Sequence, residues 1–306
     1  MTVLRQQRSA MDLAMATARD AFKDPVAGSP CALDHHWCAT QPQNLDGEVT
    51  GLLSVGANAG AELLWAAREH SVALERLLEA PELLPIPTTS LVRSIHEALL
   101  EVCWLSDPDV PPARRLARAA VAFLTDVEGN ADPLRQTPGQ EAKLLEVEQA
   151  SQGARELLKR AGLTLRLNNA GTRVTGIECA ESVEPVKLNI TDLNAKYMPG
   201  TELMWTLGSG GTHSRRWFTA GLEGDRGTLA IWAVMPVLDS CDYVVDNVLR
   251  YVGLPRTEFH RRAHVRRTML SRRVRQDQYP NEATGGYAEY DMARRSPVRT
   301  PRGIHP

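Results

Sequence analysis

Along residues 88–106, TTSLVRSIHEALLEVCWLS, the apolar positions fall at Leu91, Val92, Ile95, Ala98, Leu99, Val102 and Leu105. That three-to-four spacing is the period of one helix face. Thr88, Thr89 or Ser90 can cap the start after Pro87. Asp107-Pro108 ends it, because a residue before proline is pushed out of helical geometry. The pattern predicts a central helix, with a second strip of Arg93, Glu97, Glu101 and Trp104 along it.

Helical periodicity recurs over 3–22, 47–80, 112–127 and 139–161, the last with Gly162 as its C-terminal cap. In 47–80, Gly51, Gly56 and Gly60 each cost about 1 kcal/mol relative to alanine. Their near-helical spacing among Ala57, Ala59 and Ala61 points to the close approach of another helix. In 112–127, Arg114, Arg115 and Arg118 mark one face, and Leu116, Ala119, Ala120 and Phe123 another. Residues 25–46, with three prolines around CALDHHWC, and 129–138 read as loops. The period then changes to two. Leu163–Leu167 and Thr172–Cys179 alternate around the turn-like Asn168-Asn169-Ala170-Gly171, which predicts a hairpin, with 186–190 as a third short strand. From Thr191 helices return, broken at Pro199-Gly200 and again at 208–211. Leu229–Val252 is the second strongly apolar helix, with Pro236 as a kink.

The expected fold is therefore mainly α. A helical bundle-like domain occupies 1–254, with a β-hairpin insertion at about 163–190. A basic tail follows over 255–306, helical to about Arg275 and then, lacking apolar residues, disordered. Charge supports this division. The chain carries −2 overall, but 255–306 holds 12 Arg against 5 acidic residues, leaving −9 on the rest. Five scattered cysteines, an odd number, suit reduced thiols in a cytoplasmic protein rather than a disulfide framework. The N-terminus has no signal-peptide pattern. The longest apolar run, 229–238, falls far short of the roughly 18 residues of a membrane span.

Several groups carry candidate chemistry. Arg93 precedes Glu97 in the less favourable order for a helical pair, on a strip that also holds Trp104. This suits a polar pocket as well as a solvated ion pair. Gly208-Ser209-Gly210-Gly211-Thr212-His213-Ser214-Arg215-Arg216 puts a glycine-rich break before a helix start. There Ser209, Arg215 and open N–H groups could take an anion, and His213 could move a proton. It is not a Walker loop. Asp239, Asp242 and Asp246 share a helix face that could hold Mg²⁺, though an Asp246–Arg250 pair on a solvated face accounts for them. Cys31-x3-His35-His36-x-Cys38 has zinc-type ligands, but its spacing matches no structural finger, so no metal or other cofactor is expected. Arg261, Arg262, Arg266, Arg267, Arg272 and Arg273 could bind nucleic acid or a nucleotide through phosphate contacts; a basic helix docked on the acidic body fits equally.

Two fragments, SLVRSIHEALLEVCWL and LMWTLGSGGTHSRRW, together resemble bacterial helical proteins related to the abortive-infection and HEPN-like families, over about 85–252. The resemblance implies a functional pair Arg93 and Glu97, with Ser209 and His213 downstream. It departs from the HEPN ribonuclease pattern of Arg, four to six residues, then His. Arg93-Ser94-Ile95-His96 is too close, and Arg299 to His305 encloses Pro301. Three function classes follow. The first is a defence-associated helical protein holding a polar or phosphate-bearing ligand between 88–106 and 208–213. As an enzyme it would use His213 as acid or base, Arg93 and Arg215 as anion holders and Glu97 as the orienting group, with Ser209 and Trp104 lining the ligand. The second is a nucleic-acid-binding protein using 256–275. The third is a structural or homo-oligomerising protein without a catalytic site.

Overall fold

A computed structural model of the chain describes residues 2–44, 47–82, 84–129, 131–201 and 226–278. In order come α1 (Thr2–Lys23), α2 (Pro30–Thr40), α3 (Glu48–Glu79), α4 (Pro85–Leu105), α5 (Pro112–Glu128), α6 (Ala131–Gln136) and α7 (Glu141–Arg160). Strands β1 (Thr164–Leu167), β2 (Val174–Cys179) and β3 (Ser182–Pro185) follow, then α8 (Ile190–Tyr197), α9 (Arg226–Val252) and α10 (Thr257–Gln278). The architecture is mainly α with one small antiparallel sheet, ordered β1-β2-β3.

The central helix is α4, and it is buried on more than one side. Val92, Ile95, Leu99, Leu100, Val102 and Cys103 are each no more than 4% exposed. They form one core with Leu4 and Met11 of α1, Leu64 and Leu74 of α3, and Val237, Leu238 and Val244 of α9. A second core gathers Leu116, Ala120 and Leu124 of α5, Val49 and Leu52 of α3, Leu158 of α7, and Val174 and Ile177 of β2. At 32 residues α3 is about 48 Å long and serves both cores. The expected helix contact at its glycines holds at Gly56. A Cβ there would stand 2.6 Å from Ala119 Cβ of α5. At Gly51 and Gly60 an added Cβ would meet no neighbouring element within 4 Å among the described residues.

Three expectations need correction. Residues 30–40 are helix α2, not loop. Ser29 caps it, its Oγ accepting from Ala32 N at 3.1 Å, and Pro30 sits in the first turn, where its missing N–H is harmless. Within 129–138, residues 131–136 form α6. The third strand is 182–185 rather than 186–190. The two-residue connection Ala180-Glu181 returns the chain at once, pairing Cys179 with Ser182 and Glu178 with Val183. Asn189 then starts α8 by accepting from Thr191 N at 3.1 Å. At the end of α7, Gly162 adopts φ +81, and Leu163 N reaches back to Leu158 O at 3.0 Å. That left-handed residue closes the helix as the sequence suggests.

Of the Arg face of α5, Arg115 and Arg118 point inward. Arg115 is 3% exposed and grips Asp34 of α2 with Nε and Nη2, at 2.6 and 2.7 Å. Tyr251 of α9 donates its hydroxyl to the same carboxylate at 3.0 Å. Burial pushes the Asp34 carboxyl up, and the bonds from Arg115 and Tyr251 oppose it. Asp34→Ala would strand a buried guanidinium and should cost about 3–5 kcal/mol in urea unfolding, whereas Asp34→Leu with Arg115→Met should recover most of it. At α3, Gly56→Ala should destabilise by about 1–3 kcal/mol because Ala119 cannot yield without moving α5. Gly60→Ala should be neutral, or stabilising by up to about 1 kcal/mol, in the same measurement.

Candidate functional site

The polar strip of α4 is half-sunk rather than solvated. Arg93 Nε donates to Glu97 Oε1 at 2.8 Å, with the side chains 17% and 35% exposed. Their order runs against the helix dipole, so partial burial, where a charge pair is less screened, is what favours the contact. One turn on stands Glu101, also half-buried. Burial pushes its carboxyl up, and no cation pairs with it among the described residues.

Between Arg93 and Glu97 in sequence, His96 turns to the inside and is 3% exposed. Its Nδ1 lies 2.7 Å from Ser240 Oγ of α9, and its Nε2 bonds to Asn194 Oδ1 of α8. Thr201 Oγ1 donates to the same amide oxygen at 3.2 Å. With an acceptor at Nε2, the ring carries its proton there, and Nδ1 accepts from the Ser240 hydroxyl. Asn194 Nδ2 is buried without an acceptor. A serine and a histidine at bonding distance can in principle form an activated pair. Ser240, however, is 0% exposed, so the group acts as a latch joining α4, α8 and α9. Sequence reasoning missed it. The only signal is that His96 adjoins Ile95 and lies three residues before Leu99 on the apolar stripe.

Trp104 leaves the strip altogether. It is 2% exposed, and its indole N–H donates to Glu184 of β3 at 3.3 Å. Arg118 of α5 lies over its ring, 5.4 Å from the centroid. Arg118 also reaches Asp107 at 3.4 Å and Glu184 at 3.3 Å, while Arg114 pairs with Glu184 from the surface. Asp107 further accepts from Lys196 Nζ and Tyr197 Oη, each at 2.7 Å. Trp104 thus belongs to a buried charge network that ties α4, α5, β3 and α8 together.

The acidic face of α9 is covered by α10. Asp242 takes Arg266 at 3.1 Å and Arg267 at 2.8 Å, and Asp239 takes Arg267 at 2.7 Å. Asp246 does not pair with Arg250. It holds Arg256 at 2.9 Å and His260 at 2.8 Å, while Arg250 reaches back to Asp109 at 2.5 Å. α10, with Arg256 just before it, brings the cations that these carboxylates hold. Of the arginines proposed for nucleic acid, Arg266 and Arg267 are therefore engaged within the chain. Arg261 and Arg262 stand out in solvent on Glu258, and Arg272 and Arg273 continue the same helix. Ser209, His213 and Arg215 lie outside the described residues, as does most of 276–306.

Among the described residues no cluster of His, Cys, Asp or Glu is arranged to hold a metal ion. Cys31 and Cys38 are buried free thiols, which burial pushes up to about 11 and about 12. No helix there is long and apolar enough to cross a membrane. A groove of about 260 Å³ between α6 and α7 is lined by Pro133, Leu134, Thr137, Gln140, Lys143 and Val147, a set with one charge and no acid–base pair. No family model matches the chain, and neither does any curated protein or solved structure.

Asp107 makes a pH test of the network. Burial alone would raise its carboxyl, but the bonds from Lys196, Tyr197 and the Asp109 N–H hold it down at about 2, against the ordinary 3.8. A carboxyl lowered in the folded state stabilises above the unfolded value and loses that contribution as pH falls. Unfolding free energy should therefore drop by about 2 kcal/mol between about pH 4 and pH 2 from this group. In Asp107→Asn that segment of the acid unfolding curve should be flatter.

Proposed function

We propose that the chain is a helical ligand-binding protein whose α4 strip receives a polar, phosphate-bearing small molecule. The observation that carries this reading is the row Arg93, Glu97 and Glu101, half-buried on the central helix, with a carboxyl that burial raises and that no cation among the described residues meets. Titratable groups perturbed in this way gather at functional sites more often than on plain surface. Arg93 supplies the charge for a phosphate, releasing Glu97. The raised Glu101 carboxyl supplies a donor when protonated. The His96 latch behind the strip fixes how α4 is turned. The downstream half of the site is the glycine-rich segment with Ser209, His213 and Arg215, and His213 is its candidate acid or base. The resemblance of the two fragments to abortive-infection proteins agrees with this pairing. Five buried free thiols suit a reducing, cytoplasmic setting.

Isothermal titration of the full chain with pyrophosphate and with ATP tests the reading. At least one should bind, and Arg93→Ala should weaken it by about tenfold or more, the scale of one charge-assisted bond. Absence of binding by both probes, or unchanged affinity in Arg93→Ala, would sink it.

A second reading rests on the exposed Arg261 and Arg262. A single-stranded RNA should then bind with an affinity that falls steeply with salt, and Arg261→Glu with Arg262→Glu should remove it.

A further inference from the structure

The outer face of α3 carries an exposed tryptophan. Trp65 is 63% exposed, in the middle of a 32-residue helix whose opposite face fills both cores. Glu62 and Glu69, three residues before it and four after, are exposed on the same face. Glu69 is held by its half-buried neighbour Arg68, at 2.8 Å. A large exposed aromatic flanked by acids is not what a solvated helix face requires, and tryptophan is the residue most enriched where interfaces concentrate their energy.

The outer face of α10 has the converse chemistry. Its inner residues Arg266 and Arg267 are fixed on α9. Pointing away from them, Val265 and Met269 are 43% and 60% exposed. Arg261 and Arg262, one turn earlier, are 66% and 60% exposed and pair with the exposed Glu258. The spacing 261/262, 265, 269 makes one continuous ridge, with two arginines followed by two apolar residues.

We infer that these two faces recognise each other between copies of the chain, the α10 ridge of one seating on the α3 ridge of another. Trp65 meets Met269 and Val265, a sulfur–aromatic and apolar contact. Arg261 and Arg262 meet Glu62 and Glu69. The ion pairs these charges make within each copy are exposed and worth little, so exchanging them across an interface costs little and fixes the register. A second copy is chosen as occupant because both halves of the match, aromatic with acids and apolar with bases, lie on this one chain. The inference does not depend on a ligand at α4.

Sedimentation velocity of the full chain over a wide concentration range tests it. The mass should rise above 33.7 kDa with concentration. Trp65→Asp should weaken association by about 30-fold or more, as loss of an interface hot spot does. Trp65 is mostly solvent-exposed, so its circular dichroism and unfolding midpoint should not move. Glu62→Arg with Glu69→Arg should abolish self-association, and so should Arg261→Glu with Arg262→Glu. An equimolar mixture of these two variants should associate again, because each reversed face then meets a reversed partner. A chain that stays at 33.7 kDa throughout, self-association unaffected by Trp65→Asp, or no recovery in the mixture would each overturn the inference.

Discussion

The contact on which the rest of the structure depends is the two-pronged grip of Arg115 on Asp34. Neither side chain sees water, so each ion has lost its hydration, and only their mutual geometry and added bonds restore it. Arg115 completes its set on the carbonyls of Asp107 and Val110, and Asp34 takes the Tyr251 hydroxyl. That demand fixes the direction of α2, the rotation of α5 and the end of α9 at a single point. One turn along α5, Arg118 repeats the arrangement with Asp107 and Glu184. The two guanidiniums make α5 the post against which the sheet, α2 and α8 are set. Burying such pairs adds little net stability compared with apolar packing. Their effect is to penalise every alternative packing that leaves one ion alone.

The legible and illegible parts of the fold separate along the same line. Helices α3, α4, α5, α7 and α9 were readable because apolar spacing within a single segment reports a single helix face. The turn at Gly162 was readable because its left-handed conformation favours glycine. Helix α2 was hidden by its prolines, although Ser29-Pro30 is a cap followed by a first-turn proline. The third strand was misplaced because the two-residue return at Ala180 carries none of the usual turn residues. The inward Arg115 and Arg118 were unreadable in principle. Arginine on a helix is usually solvated, and Asp34 lies 81 residues away. The partners of His96, at 98 and 144 residues, are equally remote. Of the candidate site, Arg93 and Glu97 could be named from spacing. Their half-burial, the condition of Glu101 and the removal of Trp104 to another network depend on which helices lie across α4.

The uneven charge along the chain takes a different meaning once α10 is in place. A basic tail on an acidic body suggests an arm for polyanions. Three of its twelve arginines, Arg256, Arg266 and Arg267, instead sit on Asp239, Asp242 and Asp246. Gln7 of α1 also bonds to Asp242, at 3.1 Å, so the carboxylate joins three helices. The neutralisation is local and leaves α10 with an outer ridge different in kind from its inner one.

On α4, the inward and outward chemistry are one residue apart. Successive helical residues turn by about 100°, so fixing His96 between Asn194 and Ser240 fixes where Glu97 faces. A rotation of α4 that moved the strip would break both bonds of a buried imidazole and leave its nitrogens unpaired, at a cost of roughly 1–3 kcal/mol each. Apolar packing alone tolerates small rotations, because Val, Ile and Leu exchange one contact for another. A ring bonded at both nitrogens to different helices does not. Binding sites gain from groups held rigidly before the ligand arrives. The polar latch in the core therefore gives the strip a definition that its own half-buried ion pair could not supply.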